Sequence, residues 1–357
     1  MITGNKGEWS EIYALLKIIG DKKIFAGDRH LNKIESVIFP IIKVLRDESN
    51  GTFEFGYENE LVIIKNNKEE YRISIVQFQE QAVFLLKKLK ESSNTTFSIP
   101  EIEDFINSFG SHSLKAKSTV KSDIRIVIHD HRTGMNPLLG FSIKSQLGKA
   151  STLLNASKAT NFIYRVNANL TSTQISEING IASKSKIKDR LDRIRDLGGS
   201  LHFERTESSI FGNNLILIDS SLPKIISEIL LFFFTSNYNK TSDLIIETKS
   251  LNPLGYNQEN SHPYYDYKIK RFLSDIALGM MPSKVWTGQY DATGGYLVIK
   301  ENGDVLCYHI YNRNEFDNYL LANTRLETPS STKHGFGVLY TENENIYLKL
   351  NLQIRFL

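Results

Sequence analysis

The stretch DIRIVIHDHRTGMNPLLGFSIKSQ (123–146) is the part of the sequence that decides the predicted fold. Apolar and polar residues alternate over 123–130 and again over 138–146, with the period of two that is typical of half-buried β-strands. The segment between the two runs, HRTGMNP, is rich in turn-forming residues. The pattern therefore predicts a β-hairpin with one apolar face and one polar face.

The polar face of this hairpin holds side chains that can do chemistry. Asp123 begins the first strand, and Ser142, Lys144 and Gln146 alternate along one face of the second strand. If the strands pair with their polar faces aligned, a carboxylate and a lysine meet at one end of a sheet. A solvent-exposed strand face gives the same pattern, so the hairpin alone does not decide between the two interpretations.

An aspartate beside a lysine is a minimal set for the hydrolysis of phosphodiesters. Mg²⁺ prefers carboxylate oxygens and water as ligands, and it polarises phosphoryl oxygens and activates bound water. A nearby lysine can orient that water or stabilise the charged transition state. The metal needs a second acid, and the candidates are Glu8 and Glu11 in the first predicted helix. Glutamates at a helix start also commonly complement the helix dipole, so both interpretations stay open here.

The composition is that of a globular protein with an uneven distribution of charge. The chain has 357 residues, of which 41% are hydrophobic and 23% are charged. The net charge is only +3, but residues 111–200 contain 15 Lys or Arg against 6 Asp or Glu. Such a basic region is typical of nucleic-acid binding, although scattered surface lysines give a similar count. No phosphate-binding loop, dinucleotide fingerprint or HExxH motif occurs.

The sequence predicts a cytoplasmic protein without a membrane partner. Cys307 is the only cysteine, which excludes a disulfide framework and a cysteine-based zinc site. The first residues lack the apolar core of a signal peptide. The most apolar run, IISEILLFFF (225–234), is too short to span a bilayer and predicts a buried helix.

Outside the hairpin, helical and strand periods are mixed, which predicts a chain of the α/β or α+β class. Residues 8–19 predict an N-terminal helix, because their apolar side chains recur at helical spacing up to Gly20. The stretch near 151–164 is predicted as another helix. GGYLVIKENGDVLCYHIY (294–311) predicts a hairpin, and NIYLKLNLQIRFL (345–357) predicts one long strand.

A domain boundary is predicted in the polar, turn-prone stretch 236–263. It separates a first region, 1–240, from a C-terminal β-rich region, 245–357. The core of the first region is expected at about 111–200, together with the N-terminal helix.

Several long stretches of the sequence resemble the HpaII family of type II restriction endonucleases. The resemblance is carried by GNKGEWSEIYALLKIIGD, by GFSIKSQLGKASTLLNASKATNF, and by DATGGYLVIKENGDVLCYHIYNRNEF with TPSSTKHGFG and NLQIRFL. These stretches cover both ends and the middle of the chain. The family belongs to the PD-(D/E)xK nuclease superfamily, so the resemblance implies a restriction-endonuclease-like mixed sheet flanked by helices, with an additional C-terminal β-rich region.

The resemblance also implies roles for the residues of the hairpin. Asp123 matches the metal-binding aspartate, although Ser122 stands where the motif has a proline, and Lys144 matches the motif lysine. Ser142 occupies the place of the second acid, a departure that requires the carboxylate to lie elsewhere. The polar face is then expected to line the catalytic cleft, with Lys144 at the scissile phosphate and Gln146 nearby.

The relocated acid is expected in the first helix. Lys6, Gly7 and Glu11 are similar to the KGxxxE helix start of related nucleases. Glu11 is therefore the expected second metal ligand beside Asp123, with Glu8 in reserve.

The resemblance implies Mg²⁺-dependent hydrolysis of double-stranded DNA at a short palindromic site, namely CCGG, with cleavage blocked by cytosine methylation. The partners are duplex DNA and a cognate DNA methyltransferase, and a palindrome is served either by a homodimer or by a monomer that nicks twice. Two alternatives remain, a structure-selective repair or junction nuclease and a DNA-binding regulator without catalysis. The side chains expected to contact DNA are Asn155, Ser157, Asn161, Arg313, Arg325, Lys333 and Arg355.

Overall fold

The computed structural model describes residues 2–66, 69–114, 116, 122–131, 134–290 and 293–357. The helices are, in chain order, α1 (Lys6–Asp21), α2 (Ile75–Glu91), α3 (Pro100–Asn107), α4 (Ser172–Gly180), α5 (Lys186–Asp196), α6 (Ser209–Ile218), α7 (Leu222–Thr235), α8 (Thr241–Leu251), α9 (Tyr264–Leu278), α10 (Arg313–Ala322) and α11 (Ser331–His334). The strands are β1 (Lys23–Gly27), β2 (Lys33–Glu48), β3 (Gly51–Glu58), β4 (Leu61–Asn66), β5 (Glu69–Ser74), β6 (Ile124–Ile128), β7 (Leu138–Ser145), β8 (Thr152–Leu154), β9 (Asn161–Asn167), β10 (Ser200–Thr206), β11 (Gly295–Ile299), β12 (Val305–His309), β13 (Thr324–Leu326), β14 (Leu339–Glu342), β15 (Asn345–Asn351) and β16 (Ile354–Phe356).

The chain forms two compact units. The first unit comprises Met1–Ser151 and Tyr290–Tyr319, and the second comprises Thr152–Gln289 and Leu320–Leu357. This division does not coincide with the predicted boundary in 236–263, because that stretch contains the whole of α8 and belongs to the second unit. The predicted C-terminal region is thereby shared between the units, since β11 and β12 pair with strands of the first.

The first unit is built on a nine-stranded mixed sheet in the order β1-β12-β11-β7-β6-β2-β3-β4-β5. Strand β1 also pairs with β2, so six of the strands close into a barrel-like ring, and β3 to β5 extend from it as a meander. The pairs β1–β12 and β7–β11 are parallel, and the others are antiparallel. The predicted α+β class is confirmed. The sheet is a ring rather than a clear restriction-endonuclease-like sheet, because β2 is long enough to pair with β1 through its first residues and with β6 further along.

The predicted hairpin at the centre of this sheet is confirmed. Strands β6 and β7 pair antiparallel, with Ile124 opposite Phe141 and Ile126 opposite Leu139. The isoleucines of β6 are almost fully buried, as their alternation indicates. They pack into one apolar core together with the buried face of α1, including Trp9.

The predicted N-terminal helix, α1, begins at a capping box. The Asn5 side chain accepts a hydrogen bond from the Glu8 amide at 3.1 Å, and the Glu8 carboxylate accepts one from the Asn5 amide at 2.8 Å. The helix ends at Asp21, and its C-cap residue, Lys22, has a backbone in the left-handed region. Its apolar stripe faces the sheet, which fixes the direction in which the remaining side chains of α1 point.

The second unit contains two antiparallel sheets and the helices α4 to α9. One sheet has the strand order β10-β9-β15-β14 and the other β13-β16-β8. The predicted buried helix at 225–234 is confirmed as part of α7. Over the described residues, no helix has the length and apolarity that crossing a membrane requires.

Two sequence predictions in the second unit are wrong. The stretch near 151–164 is not a helix, because it contains β8, a short 3₁₀ turn and the first residues of β9. Strand β9 lies between two partners and is mostly buried, so its apolar run lacks the alternation that identifies a strand. The predicted strand over 345–357 is divided into β15 and β16, which belong to different sheets.

The start of β11 depends on a glycine. Gly295 has a φ of 107°, and a Cβ at this position would lie 2.1 Å from the Tyr308 carbonyl oxygen. We expect Gly295→Ala to lower the free energy of unfolding by more than about 2 kcal/mol, because backbone rather than a flexible side chain fills the space. Urea denaturation followed by circular dichroism measures this loss.

The matched control is Gly180→Ala at the end of α4, where a Cβ meets nothing within 4 Å. This substitution should change the free energy of unfolding by less than about 0.5 kcal/mol. Equal effects of the two substitutions would contradict the predicted role of Gly295.

Candidate active site

Asp123 is held at the start of β6 by the backbone of β7. Its amide donates to the Phe141 carbonyl at 2.9 Å, and its Oδ2 accepts a hydrogen bond from the Ile143 amide at 2.6 Å. Burial raises the pKa of the Asp123 carboxyl, whereas the Ile143 amide and the charges of Lys144 and Arg46 act in the opposite direction. The carboxylate is thus fixed beside two cations by a part of the hairpin that the sequence identifies.

Lys144 projects from β7 on the side of Asp123. Burial lowers the pKa of the Lys144 ammonium, and the carboxylates of Asp123 and Glu11 oppose this effect. The ammonium nitrogen lies 5.0 Å from the ring centroid of Tyr296, in β11. Lys144 therefore lies within the electrostatic reach of both predicted metal ligands.

Glu11 comes to the same place from α1. It lines a cleft of about 710 Å³ together with Lys144, and both residues belong to the first unit. The other lining residues are Asn5, Lys6, Gly7, Ser92, Ser93, Asn94, Thr95, Ile143, Ser145, Leu147, Gly148, Lys149 and Ser151. The start of α1 and the end of β7 therefore face the same cleft. This agrees with the resemblance of Lys6, Gly7 and Glu11 to the KGxxxE helix start of related nucleases.

A hydrogen bond joins these two elements next to the site. The Ser10 and Ser145 hydroxyls lie 2.9 Å apart, and Ser10 also donates to the Lys6 carbonyl at 2.6 Å. Ser10 directly precedes Glu11, and Ser145 directly follows Lys144. The contact therefore fixes the position of Glu11 relative to Lys144.

Arg46 is a buried cation that the sequence analysis missed. It is 2% exposed in β2, and its Nη1 donates to Glu48 Oε1 at 2.9 Å and to the Ser113 carbonyl at 3.1 Å. Burial lowers the pKa of the guanidinium, while the carboxylates around it oppose this effect, including those of Glu11 and Asp123. The sequence does contain an indication of this burial, because Val44, Arg46 and Glu48 occupy alternate positions and share the buried face of β2.

The other predicted residues of the catalytic site lie at its margins. Ser142 is the parallel neighbour of Tyr296. Gln146 is exposed just after β7 and is not among the residues that line the cleft. The Glu8 carboxylate closes the capping box and is likewise not among the lining residues. Of the two predicted alternatives for the second acid, the geometry favours Glu11.

Three of the predicted DNA contacts follow β7 in the second unit. Asn155 is exposed, whereas Asn161 is fully buried. The Asn161 side chain donates to Glu207 Oε2 at 2.6 Å and accepts from the Asn351 amide at 2.6 Å. Ser157 caps the adjoining 3₁₀ turn. Asn161 therefore joins β9 to β15, and this burial argues against a contact between its side chain and a base.

The predicted cationic contacts differ in their environment. Arg325 and Arg355 lie opposite each other in β13 and β16, and Glu327 accepts from both at 2.7 and 3.2 Å. Lys333 is exposed on α11. Arg313 is exposed in the first unit, where its Nε lies 3.7 Å from Asp317. Within the second unit, Glu327 therefore joins Arg325 to Arg355.

The chain matches the model of a protein family described as HpaII restriction endonuclease over residues 5–356. The chain belongs to the HpaII restriction endonuclease family. It is 50% identical to the type II restriction enzyme HpaII of Haemophilus parainfluenzae, over 99% of each chain. No solved structure matches it significantly. The family predicted from the sequence is confirmed, and the chain is a restriction endonuclease, a class of enzyme that acts on double-stranded DNA and generally needs a divalent metal ion.

The raised pKa of Asp123 has a consequence for the stability of the enzyme without metal. The folded state disfavours the charged carboxylate, so its contribution to stability is complete below the ordinary value of 3.8 and is lost as the pH rises through the raised pKa. Asp123→Asn keeps an acceptor for the Ile143 amide and removes the charge. We therefore expect this variant to melt at a higher temperature than the unsubstituted enzyme at pH 7 in EDTA.

The difference in melting temperature should shrink as the pH falls through 3.8 and disappear below it, where Asp123 is protonated in both the folded and the unfolded state. Asp47→Asn is the control, because Asp47 is also partly buried beside an arginine but lies in β2 and is not one of the predicted metal ligands. A lower melting temperature of Asp123→Asn at pH 7 would show that ion pairing, and not burial, dominates at this carboxylate.

Proposed function

We propose that this enzyme cleaves both strands of duplex DNA at CCGG in a Mg²⁺-dependent reaction, with Asp123, Glu11 and Lys144 as its catalytic centre. The observation that carries the proposal is the position of Lys144, which lines one cleft together with Glu11 and lies within the electrostatic reach of the carboxylates of both Asp123 and Glu11. Two carboxylates and a lysine are the chemistry that metal-assisted phosphodiester hydrolysis requires.

The donor set fits a magnesium ion. Mg²⁺ is commonly held by one or two protein carboxylates and keeps several waters. Among the described residues, no group of three or more His, Cys, Asp or Glu forms a metal site, so the proposed ligands are Asp123 and Glu11 alone. When bound there, the ion supplies charge neutralisation at the phosphate and a lowered pKa of coordinated water.

The chain's own groups bind and orient the phosphate. The Ile143 amide fixes the Asp123 carboxylate, so that one oxygen is oriented by the backbone. Lys144 places a positive charge where negative charge develops in the transition state. Lys6, Lys149 and the N-terminus of α1 line the same cleft. Their positive charges can bind the phosphates of the DNA backbone.

We propose that part of the barrel-like ring, together with α1, forms a core of the PD-(D/E)xK type. In support, β6, β7 and β11 form an antiparallel pair followed by a parallel pair, with α1 packed against them. Ser142 stands at the place of the second motif acid, and Glu11 replaces that acid from the helix. The first unit is then the catalytic region, with the core segments 8–19 and 123–146.

DNA recognition is proposed for the part of 245–357 that lies in the second unit. Arg325 and Arg355 are only partly buried, and arginines that can form two hydrogen bonds recognise guanine in the major groove. Lys333 adds an exposed charge. A methyl group on cytosine projects into the same groove, which accounts for a block by methylation.

The proposed partners follow from the site that is cleaved. A palindrome presents two equivalent scissile phosphates, and each chain carries one proposed centre, so we propose a two-fold homodimer on DNA. A cognate methyltransferase must protect the host's own CCGG sites. Both proteins then act in the cytoplasm, where that DNA is present.

The test of this function is digestion of unmethylated phage-sized DNA by the purified enzyme, with Mg²⁺ and with EDTA. We expect discrete fragments with Mg²⁺ only, ends that map to CCGG, and no cleavage of the same DNA after cytosine methylation at those sites. Asp123→Ala should abolish the fragments. A smear would support a structure-selective nuclease, and binding without cleavage would support a regulator; either result would overturn the proposal.

The role of Lys144 is tested separately with Lys144→Ala. We expect a loss of cleavage rate of at least about 100-fold, because a positioned charge in the transition state is removed. Binding to CCGG duplexes in EDTA should change by less than about tenfold. Lys87→Ala is the matched control, since it removes an exposed lysine of α2 that belongs to the same unit but does not line the cleft. Full cleavage by Lys144→Ala, or an equal loss in both variants, would contradict the assignment.

A further inference from the structure

The Lys144 side chain lies over an aromatic ring that no sequence motif marks. Its Nζ is 5.0 Å from the centroid of the Tyr296 ring, within the range of a cation–π interaction. The tyrosine is 3% exposed, so water does not compete for this face of the ring. A desolvated contact of this kind is stronger than one at the protein surface.

The position of this ring is determined by the sheet. Tyr296 pairs with Ser142 in the parallel β7–β11 register, and Lys144 follows Ser142 by one strand period on the same face. Gly295 holds the start of β11 close to β12. Phe316 contacts the ring edge-on, with the centroids 5.4 Å apart and an angle of 83° between the planes. The ring is therefore fixed by backbone pairing and by packing.

The small side chain at 142 is compatible with this arrangement. Ser142 is the direct neighbour of Tyr296 in the strand register, so the side chain that follows the ring across the sheet is short. The long lysine stem can then bring its ammonium group over the ring. The free lysine side chain has much rotamer freedom, and a fixed aromatic face reduces that freedom without introducing another negative charge.

We propose that Tyr296 is a positioning residue for Lys144: its buried ring holds the ammonium group in the orientation that the cleavage step requires. This inference rests on the proposed catalytic role of Lys144. Tyr296 acts through the lysine and is not itself in contact with the reacting phosphate. Loss of the ring should therefore reduce the rate of cleavage and leave the affinity for DNA nearly unchanged.

The direct test is a nuclear magnetic resonance spectrum of the metal-free enzyme with lysine labelled at ¹³Cε. The ring current of Tyr296 should shift the Lys144 Hε signal upfield, and the signal is assigned by its absence in Lys144→Arg. Tyr296→Phe should retain the shift, and Tyr296→Met should abolish it. An unshifted Lys144 signal in the unsubstituted enzyme would overturn the proposal without any variant.

The kinetic test uses the same variants under single-turnover conditions. Tyr296→Met should lower the cleavage rate constant by about tenfold, with less than about threefold change in DNA affinity measured in EDTA. Tyr296→Phe should restore most of the rate, because the ring face is kept. Phe84→Met is the control, since Lys88 lies 5.2 Å from that ring in α2 and neither residue lines the cleft, and we expect no change in rate.

A double-mutant cycle separates positioning from general packing. In the Lys144→Ala background, Tyr296→Met should cause no further loss of rate, because the group that it positions is gone. An equal loss in both backgrounds would overturn the inference. If cleavage by Lys144→Ala is too slow to measure, the lysine spectrum decides. Full cleavage by Lys144→Ala would refute the proposed function instead, and the ring-current shift would still report whether the contact exists.

Discussion

The double pairing of β7 is the constraint on which the active site depends. On one side β7 pairs antiparallel with β6, which brings Asp123 to the backbone of Ile143. On the other side it pairs parallel with β11, which brings Tyr296 beside Ser142. Lys144 projects between these neighbours. A parallel pair needs a long crossover connection, and here that connection contains most of the second unit.

The second feature of the site is the burial of charge next to an apolar core. Moving a carboxylate or a guanidinium out of water is costly, and an apolar replacement is often equally stable. Arg46 and Glu48 are both almost fully buried, and the Ser111 hydroxyl adds a hydrogen bond of 2.6 Å to Glu48. The charges of Glu11 and Asp123 act on the same arginine. Such an arrangement is more readily explained by preorganisation for a charged substrate than by stability.

The local elements of the active site could be predicted from the sequence. The hairpin and α1 have clear periods, so Asp123, Lys144 and Glu11 could each be placed on an element before the structure was known. The ring closure and the β7–β11 pair could not be predicted, because they join segments that are remote in the chain. Tyr296 lies in a strand that is buried along its whole length, where one aromatic residue has no distinguishing pattern. Strand β9 was mistaken for a helix for a related reason, since a buried strand between two partners loses its alternation.

Arg46 and Asn161 show what burial adds to residue type. The DNA contact of Asn161 stays a prediction, but its side chain donates to the His334 carbonyl and accepts from the Asn351 amide in the protein interior. Arg46 lies in no motif that would mark it in the sequence. Arg46 follows Val44 by two residues and so points into the core from the same face of β2. A charged side chain in a core is rare, so its burial says more about a special role than its residue type does.

The relocation of the second acid changes what the geometry of the site depends on. A carboxylate at position 142 would be held by the sheet, as Asp123 is. Glu11 is held instead by the packing of α1, so a shift of the helix would alter its distance from Asp123. The Ser10–Ser145 hydrogen bond opposes such a shift, because it joins the residue before Glu11 to the residue after Lys144. Ser10 is fully buried, which protects this bond from water. In the proposed site, the hydrogen bond between Ser10 and Ser145 therefore fixes the position of Glu11, and the hydrogen bond from the Ile143 amide fixes that of Asp123.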